Sequence, residues 1–453
     1  MAEPEITIIG GGLAGCEAAW QAAGRGCSVR LFEMRPVRRT PAHQTDHLAE
    51  LVCSNSLKSE SLEDASGLLK AEMRALGSLT LEWAEVHRVP AGSALAVDRE
   101  RFASAVTAAI TGHPRIQVVR QEVPELPAQR PVILATGPLT SDRLSVDLQQ
   151  RFTSALEGRS GASPSTRWLY FYDAISPIVS ADSIDQGIAF VASRYGKGGG
   201  DYLNCPLTRD EYLAFREALL KGERYPLHEF EAPKYFEGCL PVEEMAERGE
   251  DTLRFGPMRP VGLRDPRTGK RPYAVVQLRQ ENRGPDGRPT MYNLVGFQTR
   301  LRRGDQLTAL RLIPGLQQAE VLRYGSVHRN TFIMAPLLLR ETLEFRGNAG
   351  VFFAGQLTGV EGYLESAATG LLAGLNAARL IRGAHLVSPP PTSVLGALLR
   401  YVTQSVPETF QPINANFGIL PRLPQIARDR RERNRLLAER ALADFQAWRQ
   451  DVP

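Results

Sequence analysis

The N-terminal segment up to Glu33 alternates between apolar runs and a glycine-rich turn. Residues 6–9 form an apolar run that predicts a buried strand, and residues 28–32 predict a second strand. Between them, GGGLAG is followed by a helical pattern over residues 16–23. A strand, a GxGxxG turn, a helix and a second strand that ends in an acid together predict a dinucleotide-binding unit.

Each position in this unit has a chemical role. Gly10 permits the tight turn, Gly12 lets the backbone approach a pyrophosphate, and Gly15 lets the helix pack closely on the strand. The phosphates would lie at the helix N-terminus, where unpaired N–H groups favour anions. Glu33 is placed to accept hydrogen bonds from ribose hydroxyls. The cofactor-binding residues predicted here are Gly10, Gly11, Gly12, Leu13, Ala14, Gly15 and Glu33.

A similar pattern returns near the other end of the chain. Elements between the two are predicted at residues 68–79 (helix), 101–110 (helix, capped by Asp98), 116–119 and 131–135 (strands, the second ending before Gly137). Residues 351–354 are again apolar and meet a turn at Gly355 and Gln356, and a helix rich in small residues is predicted over 366–380. The chain therefore predicts an α/β fold with a Rossmann-like FAD-binding domain of the two-dinucleotide-fold type.

The middle of the chain has a different pattern. It combines aromatic strand segments such as 168–172 with a helix at about 210–220 and long connections rich in Gly, Pro and Arg. We therefore expect an inserted α+β domain. The predicted division is 1–150 for the first part of the FAD-binding domain, 151–320 for the insertion, and 321–453 for the second part with an Arg-rich C-terminal helix.

Composition excludes several classes of protein. Of the 453 residues, 43% are apolar and 23% are charged, which excludes a disordered or fibrous chain. No run of about 18 apolar residues occurs, and the N-terminus lacks the layout of a signal peptide. We therefore expect a cytoplasmic protein without a membrane span. The five cysteines form no CxxC pair and no zinc-ligand cluster, so neither a disulfide framework nor a metal site is expected.

Positive charge is concentrated in two segments. The formal net charge is only +4, but residues 254–303 carry twelve Arg and Lys against three acids. This excess favours a polyanionic partner, with a solvated loop surface as the alternative. Residues 422–440 carry seven Arg against three acids, and a solvated helix face explains that run equally well.

Two cysteines lie in unusual surroundings. Cys53 is part of LVCSNSLKS, directly after the nucleotide fold, and Cys239 is part of YFEGCLP, just before the basic segment. A lone cysteine is most often a small buried hydrophobe. We interpret Cys16 and Cys27 in that way, favour it for Cys205, and treat Cys53 and Cys239 as candidate reactive thiols.

These motifs together resemble the folate- and FAD-dependent tRNA (uracil-5-)-methyltransferase family. The resemblance covers nearly the whole chain and rests on residues 10–19, 52–59, 203–206, 236–241, 328–331 and 353–366. The thiol-bearing segments are specific, whereas the glycine motif alone fits many flavoproteins. A related flavoprotein that modifies the tRNA wobble uridine resembles two of these regions but is a longer chain. Gln356 departs from generic FAD enzymes, in which an Asp usually follows the glycine.

The resemblance implies a reaction and its partners. The T-loop uridine of tRNA (position 54) would be methylated at C5 to give ribothymidine, with tRNA and folate as the partners and no protein partner evident. 5,10-Methylenetetrahydrofolate would donate the carbon, FAD would carry it and supply the electrons, and NADPH or NADH would re-reduce FAD. Cys239 would be the nucleophile at uracil C6. Cys53 would act near the flavin, where it either takes the C5 proton or protects a methylene adduct.

Further residues are candidates for contact with the flavin or folate. Gly137, Gly355 and Gln356 belong to the predicted glycine turns of the FAD-binding domain. The residues that follow these turns or lie in the matched segments are Glu361, Tyr363, Glu365, His328, Arg329 and Asn330. Three other functions remain alternatives: the related modification of the tRNA wobble uridine, a flavin oxidoreductase for a small molecule, and a flavin-containing RNA-binding protein whose thiols are incidental.

Overall fold

The structure is a computed structural model that describes residues 5–40, 42–156, 168–194, 201–225, 240–283, 287–424 and 429–452. Its strands are β1 Glu5–Ile9, β2 Ser28–Glu33, β3 Ser56–Ser59, β4 Arg88–Val89, β5 Ala94–Val97, β6 Ile116–Arg120, β7 Val132–Leu134, β8 Trp168–Ile175, β9 Ile178–Ser180, β10 Phe190–Ala192, β11 Tyr202–Leu207, β12 Ala274–Gln280, β13 Met291–Leu294, β14 Val321–Arg323, β15 Ser326–Ile333 and β16 Val351–Phe353.

The helices lie between these strands and at the C-terminal end. They are α1 Leu13–Gly24, α2 Ala65–Ala75, α3 Leu79–Val86, α4 Arg99–Gly112, α5 Asp142–Leu156, α6 Arg209–Lys221, α7 Val242–Glu247, α8 Thr252–Phe255, α9 Arg303–Arg311, α10 Ala335–Leu338, α11 Tyr363–Ile381, α12 Val394–Gln404 and α13 Arg430–Gln450.

A parallel five-stranded sheet forms the centre of the larger core. Its order is β16-β7-β1-β2-β6, and the central strands β7 and β1, with β16, are mostly apolar and buried because both faces are covered there. β16 comes from the last third of the chain and pairs with β7, Val351 opposite Val132. The two glycine-turn segments therefore belong to one sheet, and the predicted fold class is confirmed.

Helices α1 and α11 cross in unusually close contact. A Cβ atom on Gly370 would lie 2.1 Å from the carbonyl oxygen of Ala14, and one on Gly374 would lie 2.3 Å from that of Ala18. Two backbones approach this closely only where side chains are absent. The Ala- and Gly-rich pattern of α11 thus brings the C-terminal part of the chain onto the first helix.

One predicted helix is wrong. Residues 68–79 were expected to form a single helix, but α2 ends at Ala75 and α3 begins at Leu79. Gly77 adopts a positive φ of 72°, and the Ser78 hydroxyl accepts from the Leu81 N–H at 3.3 Å as an N-cap. A glycine followed by a capping serine is a stop-and-start signal that outweighs the continuous apolar spacing.

Buried carboxylates cap two of the helices in this core. Glu17 on α1 accepts from the Thr80 N–H at 2.8 Å, and Glu72 on α2 accepts from the Val394 and Leu395 N–H groups at 2.7 and 2.9 Å. Burial raises the pKa of both carboxyls, that of Glu72 to about 8, against the opposing effect of these hydrogen bonds.

A second sheet carries its own apolar core. It has the order β10-β11-β12-β13-β9-β14, and α6, α7 and α9 contribute Tyr212, Phe215, Ala246 and Leu310 to the core beneath it. The chain enters this unit after β8 and leaves it before β15, which pair antiparallel with Ile175 opposite Ser326. The division at residues 150 and 320 stays a prediction.

Candidate active site

A cleft of about 390 Å³ lies at the carboxyl edge of the parallel sheet. Each of the five strands ends at a residue that lines the cleft, or at most two residues before one. These lining residues are Gly10, Glu33, Gln121, Ala135 and Gly355. In parallel α/β sheets, ligands bind outside these strand ends. The cleft is therefore where a dinucleotide would bind.

The turn between β1 and α1 is built for close approach of backbone groups. Gly10 has φ +107°, and a Cβ there would lie 2.3 Å from the Ala135 carbonyl oxygen. Nothing lies within 4 Å of a Cβ built on Gly12, so this position faces open space. Gly10, Gly11, Gly12, Leu13 and Ala14 all line the cleft, and their binding of a cofactor stays a prediction. Gly15 instead packs under the turn, where its Cβ would lie 1.8 Å from the Gly10 oxygen.

The acid at the end of β2 is held by hydrogen bonds on both oxygens. Glu33 accepts from the Gly11 N–H at 3.0 Å and from the Arg35 backbone and guanidinium at 3.0 to 3.3 Å. Arg35 is only 1% exposed and also donates to Glu50 at 3.0 Å. Burial raises the pKa of Glu33, but Arg35 outweighs it and holds the pKa of the carboxyl below its usual range. The carboxylate is thus ionised and faces the cleft.

The second glycine turn closes the opposite side of the cleft. Gly355 has φ +77° and donates its N–H to the Thr369 hydroxyl at 2.8 Å. The Gln356 side-chain amide donates to Glu361 at 2.6 Å. These three predicted residues, with Gly137, line the cleft. Gln356, which stands where FAD enzymes usually carry an Asp, is thus bonded to the Glu361 carboxylate.

Cys53 lies on the wall of the cleft, in the loop before β3. Its backbone N–H donates to the Tyr363 phenolic oxygen at 2.6 Å, and the Ser54 N–H donates to the same oxygen at 3.2 Å. Burial raises the pKa of Tyr363, so this group stays a neutral phenol. Arg99 and Arg323 lie within electrostatic reach of the thiol. The two hydrogen bonds to Tyr363 thus fix the backbone of the loop at Cys53.

Lys58 lines the cleft and was missed by the sequence analysis. It adopts a positive φ of 61°, which is strained for a residue with a side chain. Its ammonium donates at 2.7 Å to Glu365, which is completely buried rather than at the border of the cleft. Lys70 donates to the carbonyls of Lys58 and Ser59 at 3.3 and 2.7 Å and supports this turn. No motif in the sequence links Lys58 to an acid so far along the chain.

Comparison with known proteins shows the family of the chain. The family "GIDA: Glucose inhibited division protein A" matches residues 5–385. The relatives named "Methylenetetrahydrofolate--tRNA-(uracil-5-)-methyltransferase TrmFO" include one from Moorella thermoacetica, 58% identical over 97% of both chains. Another, from Geobacter sulfurreducens, is 57% identical over 98% of both chains. The chain belongs to the TrmFO family. The family predicted from the sequence is confirmed.

Solved structures with the same fold are more distant from this TrmFO chain. Aquifex aeolicus GidA in its form II crystal matches with a TM-score of 0.67 at 16% identity, over 98% of this chain and 73% of that one. The form I crystal of the same protein gives 0.65 at 17% identity, with 98% and 76% covered. At this identity the likeness concerns the fold, which it shares over nearly the whole TrmFO chain.

Of the remaining predicted residues, some lie within the described part of the structure and others lie outside it. Asn330 on β15 is buried and lines the cleft. The side chains of His328 and Arg329, on the same strand, are outside the described part of the structure. Cys239, the predicted nucleophile, lies in the segment 226–239, which is also outside it.

The other thiols of this TrmFO chain are buried. Cys16, Cys27 and Cys205 have at most 5% of their surface exposed. Burial raises the pKa of all three thiols, that of Cys205 to about 12. These cysteines are packing residues, as expected for Cys16 and Cys27. Within the described ranges, no group of His, Cys, Asp and Glu could hold a metal ion, and no helix has the length and apolarity to cross a bilayer.

Proposed function

We propose that this protein transfers a one-carbon unit from methylenetetrahydrofolate to C5 of the T-loop uridine of tRNA, position 54, and so makes ribothymidine. FAD would occupy the cleft, NADPH or NADH would reduce it, and the enzyme would work in the cytoplasm. The TrmFO relatives carry the name of a folate-dependent tRNA (uracil-5-)-methyltransferase. The observation that carries the proposal is a thiol, Cys53, fixed on the wall of a dinucleotide cleft.

The residues of the cleft fit FAD. The turn at Gly10–Gly12 leaves no room for a side chain on the sheet side and open space on the other, as a pyrophosphate requires. The N–H groups at the start of α1 would hold the phosphates, and ionised Glu33 would face a ribose. Bound here, FAD would supply the redox chemistry that converts a methylene unit into a methyl group.

The two candidate thiols would act on the uracil ring. C5 of uracil is a weak nucleophile, and addition of a thiolate at C6 makes C5 reactive towards an electrophilic carbon. The resemblance assigns this addition to Cys239. Among the described residues that follow Cys239 in the chain, the Val242 N–H donates to the Gln298 carbonyl at 2.7 Å, and Gln298 lines the cleft.

Cys53 has two proposed roles that its geometry supports. It would either accept the proton that leaves uracil C5 or shield a reactive carbon fragment from water. In both roles the sulfur must keep a fixed position on the cleft wall, which the hydrogen bonds to Tyr363 provide.

An arginine surface on the second unit is the proposed tRNA contact. Of the twelve cations in residues 254–303, Arg279 is buried, and Arg254, Arg267 and Arg300 pair with acids at 2.6 to 2.8 Å. Other members are exposed on the same segment: Arg259, Arg264, Lys270, Arg271, Arg283, Arg288 and Arg303. Phosphate binding by such a surface positions the tRNA, and the target base would then be extruded into the cleft.

The test is a folate-dependent methylation assay on a tRNA transcript, with a second transcript whose T-loop uridine is replaced by cytidine. We expect methyl transfer to the first transcript only, with a requirement for FAD, methylenetetrahydrofolate and either NADPH or NADH. Cys239→Ala and Cys53→Ala should abolish transfer while flavin stays bound, and Cys27→Ala is the matched control. Equal activity on both transcripts would overturn the proposed target, and full activity of Cys239→Ala would overturn its role.

A further inference from the structure

The end of strand β12, in the second unit, contacts the chain on both sides of Cys53. Asn55 is completely buried and donates to the carbonyls of Gln280 and Val97, both at 2.9 Å. The Arg279 guanidinium donates to the Asn55 side-chain oxygen at 2.8 Å. The position two residues after the thiol is therefore bonded directly to the second sheet.

The position two residues before the thiol is reached through an ion pair. Arg99, the first residue of α4, donates to the Leu51 carbonyl at 2.8 Å. The same guanidinium donates to Glu281 at 2.9 and 3.2 Å. Glu281 is 2% exposed, and its other carboxylate oxygen has no hydrogen-bond partner among the described residues. Because a buried carboxylate needs its partner cation, Arg99 is held where Glu281 places it.

The corner between β5 and α4 joins these contacts. The Val97 carbonyl accepts from the Asn55 side-chain amide, and the Asp98 carboxylate accepts from the Arg283 N–H at 2.9 Å. The Arg99 guanidinium donates to the Glu281 carboxylate. These three consecutive residues at the β5–α4 corner thus bind both the loop that carries Cys53 and the end of β12. Apolar packing alone would hold the two units together without fixing a register, whereas a satisfied polar network specifies one arrangement.

We propose that Arg99, Glu281 and Arg279 are positioning residues that set the place of Cys53 from the second unit. None of the three is among the residues that line the cleft. Their hydrogen bonds connect the end of β12, which lies close to the exposed Arg283, to the backbone on each side of Cys53. A partner that binds the arginine surface would therefore act on the thiol loop through this network.

The first test measures the thiol itself and does not depend on the proposed function. Cys53 in the flavin-loaded protein is alkylated with iodoacetamide, and its rate is read by peptide mass spectrometry. In Glu281→Gln and Arg99→Lys the rate should rise about tenfold, because the loop loses one of its anchors. The matched control, Glu217→Gln, removes an exposed carboxylate that pairs with Lys221 on α6 and should leave the rate unchanged.

The second test uses catalysis and rests on the proposed methyl transfer. In Glu281→Gln, kcat should fall about tenfold while KM for tRNA stays within about twofold, because the thiol and not the docking surface is displaced. The proposal would be overturned if Glu281→Gln had the same alkylation rate at Cys53 and the same kcat as Glu217→Gln. An inactive parent protein would overturn the proposed function only, since the alkylation result still stands.

A third measurement needs no variant. In the unmodified protein, the backbone amides of Ser54, Val97 and Glu281 should exchange hydrogen with the same opening free energy as denaturant is raised, because the network joins the thiol loop, the β5–α4 corner and the end of β12 that carry them. A Glu281 amide that opens independently of the Ser54 amide would show that the strand end and the thiol loop are uncoupled, and would overturn the proposal.

Discussion

The phenolic oxygen of Tyr363 accepts hydrogen bonds from the backbone N–H groups of both Cys53 and Ser54, although these residues lie far apart in the sequence. Tyr363 is the first residue of α11, which follows the second glycine turn. The loop that carries the thiol is therefore attached to the element that closes the cleft. The start of α11 is thus bonded directly to the backbone at Cys53.

Removal of this hydroxyl should loosen the thiol loop. Tyr363→Phe leaves two N–H groups without their acceptor, at a cost of about 1–3 kcal/mol. We expect kcat for methyl transfer to fall at least fivefold (about 1 kcal/mol in the barrier) while flavin absorbance per protein is unchanged. Tyr401→Phe is the control, because its hydroxyl donates to Gln411 on the exposed surface. Equal kcat values in the two variants would show that the contact has no part in catalysis.

The crossing of α1 and α11 should not tolerate one added methyl group. In Gly370→Ala the new Cβ would lie 2.1 Å from the Ala14 carbonyl oxygen, and Ala14 lines the cleft. We expect the helices to separate, with a loss of about 2–4 kcal/mol in the free energy of unfolding and weaker flavin binding. Thermal unfolding and the absorbance of retained flavin measure both effects.

Gly24→Ala is the matched control for this crossing. Gly24 ends α1, and nothing lies within 4 Å of a Cβ built there. Alanine at a helical position without a steric conflict stabilises by up to about 1 kcal/mol. An equal loss of stability in both variants would mean that the methyl group acts through something other than the crossing.

The contribution of Glu72 to stability should fall as pH rises from about 5 to 8. Burial raises its pKa from 4.5 to about 8, so the folded protein binds this proton more tightly than the unfolded chain. The stabilisation is complete below the unfolded pKa and is lost as pH approaches the folded pKa, by at most about 1.4 kcal/mol per pH unit. Urea denaturation at several pH values measures it.

Glu72→Gln should make that pH profile shallower. The amide stays neutral, and its oxygen can still accept one of the two N–H bonds at the start of α12. Glu17 has a pKa raised in the same direction, so part of the slope remains. A slope between pH 5 and 8 as steep as that of the parent protein would remove Glu72 as a source of the dependence.

Binding of tRNA should weaken with salt in proportion to the arginines that touch phosphate. Arg259 and Arg271 are exposed, and Arg259→Gln and Arg271→Gln should each reduce the slope of log K against log salt by about 1. Arg267 pairs with Asp265 at 2.8 Å, so Arg267→Gln should change the slope less. Fluorescence anisotropy between 50 and 200 mM salt (roughly the range in which the effect is large) gives the slopes. Identical slopes in all three variants would place the tRNA elsewhere.

The local parts of the fold were predictable from the sequence. β1, α1 and β2 follow each other directly between Glu5 and Glu33, and their apolar spacing, glycines and final acid all indicate one unit. Gly355 and Gln356 were found in the same way, because a strand, turn and helix again lie close together. The break at Gly77 and Ser78 carried a signal that the apolar periodicity concealed.

The contacts that shape the thiol loop were not predictable. Lys58 meets Glu365, and Asn55 meets Arg279, although the two members of each pair are distant in the sequence. A single sequence shows no periodicity or motif that pairs such positions. Arg35 was also missed, because the acid motif predicts the position of Glu33 but not the cation that occupies both of its oxygens.

The pairing of Ile175 with Ser326 places the second sheet within a single excursion of the chain. The chain leaves β8 after Ile175 and enters β15 at Ser326, and these two residues are paired. A short turn would therefore suffice to join β8 and β15 into a hairpin. The second sheet lies entirely between these two residues, and every strand of the parallel sheet lies outside them. The cleft at the end of the parallel sheet therefore takes nearly all of its lining from the chain outside residues 176 to 325, and within that stretch Gln298 is the one described residue that contributes to it.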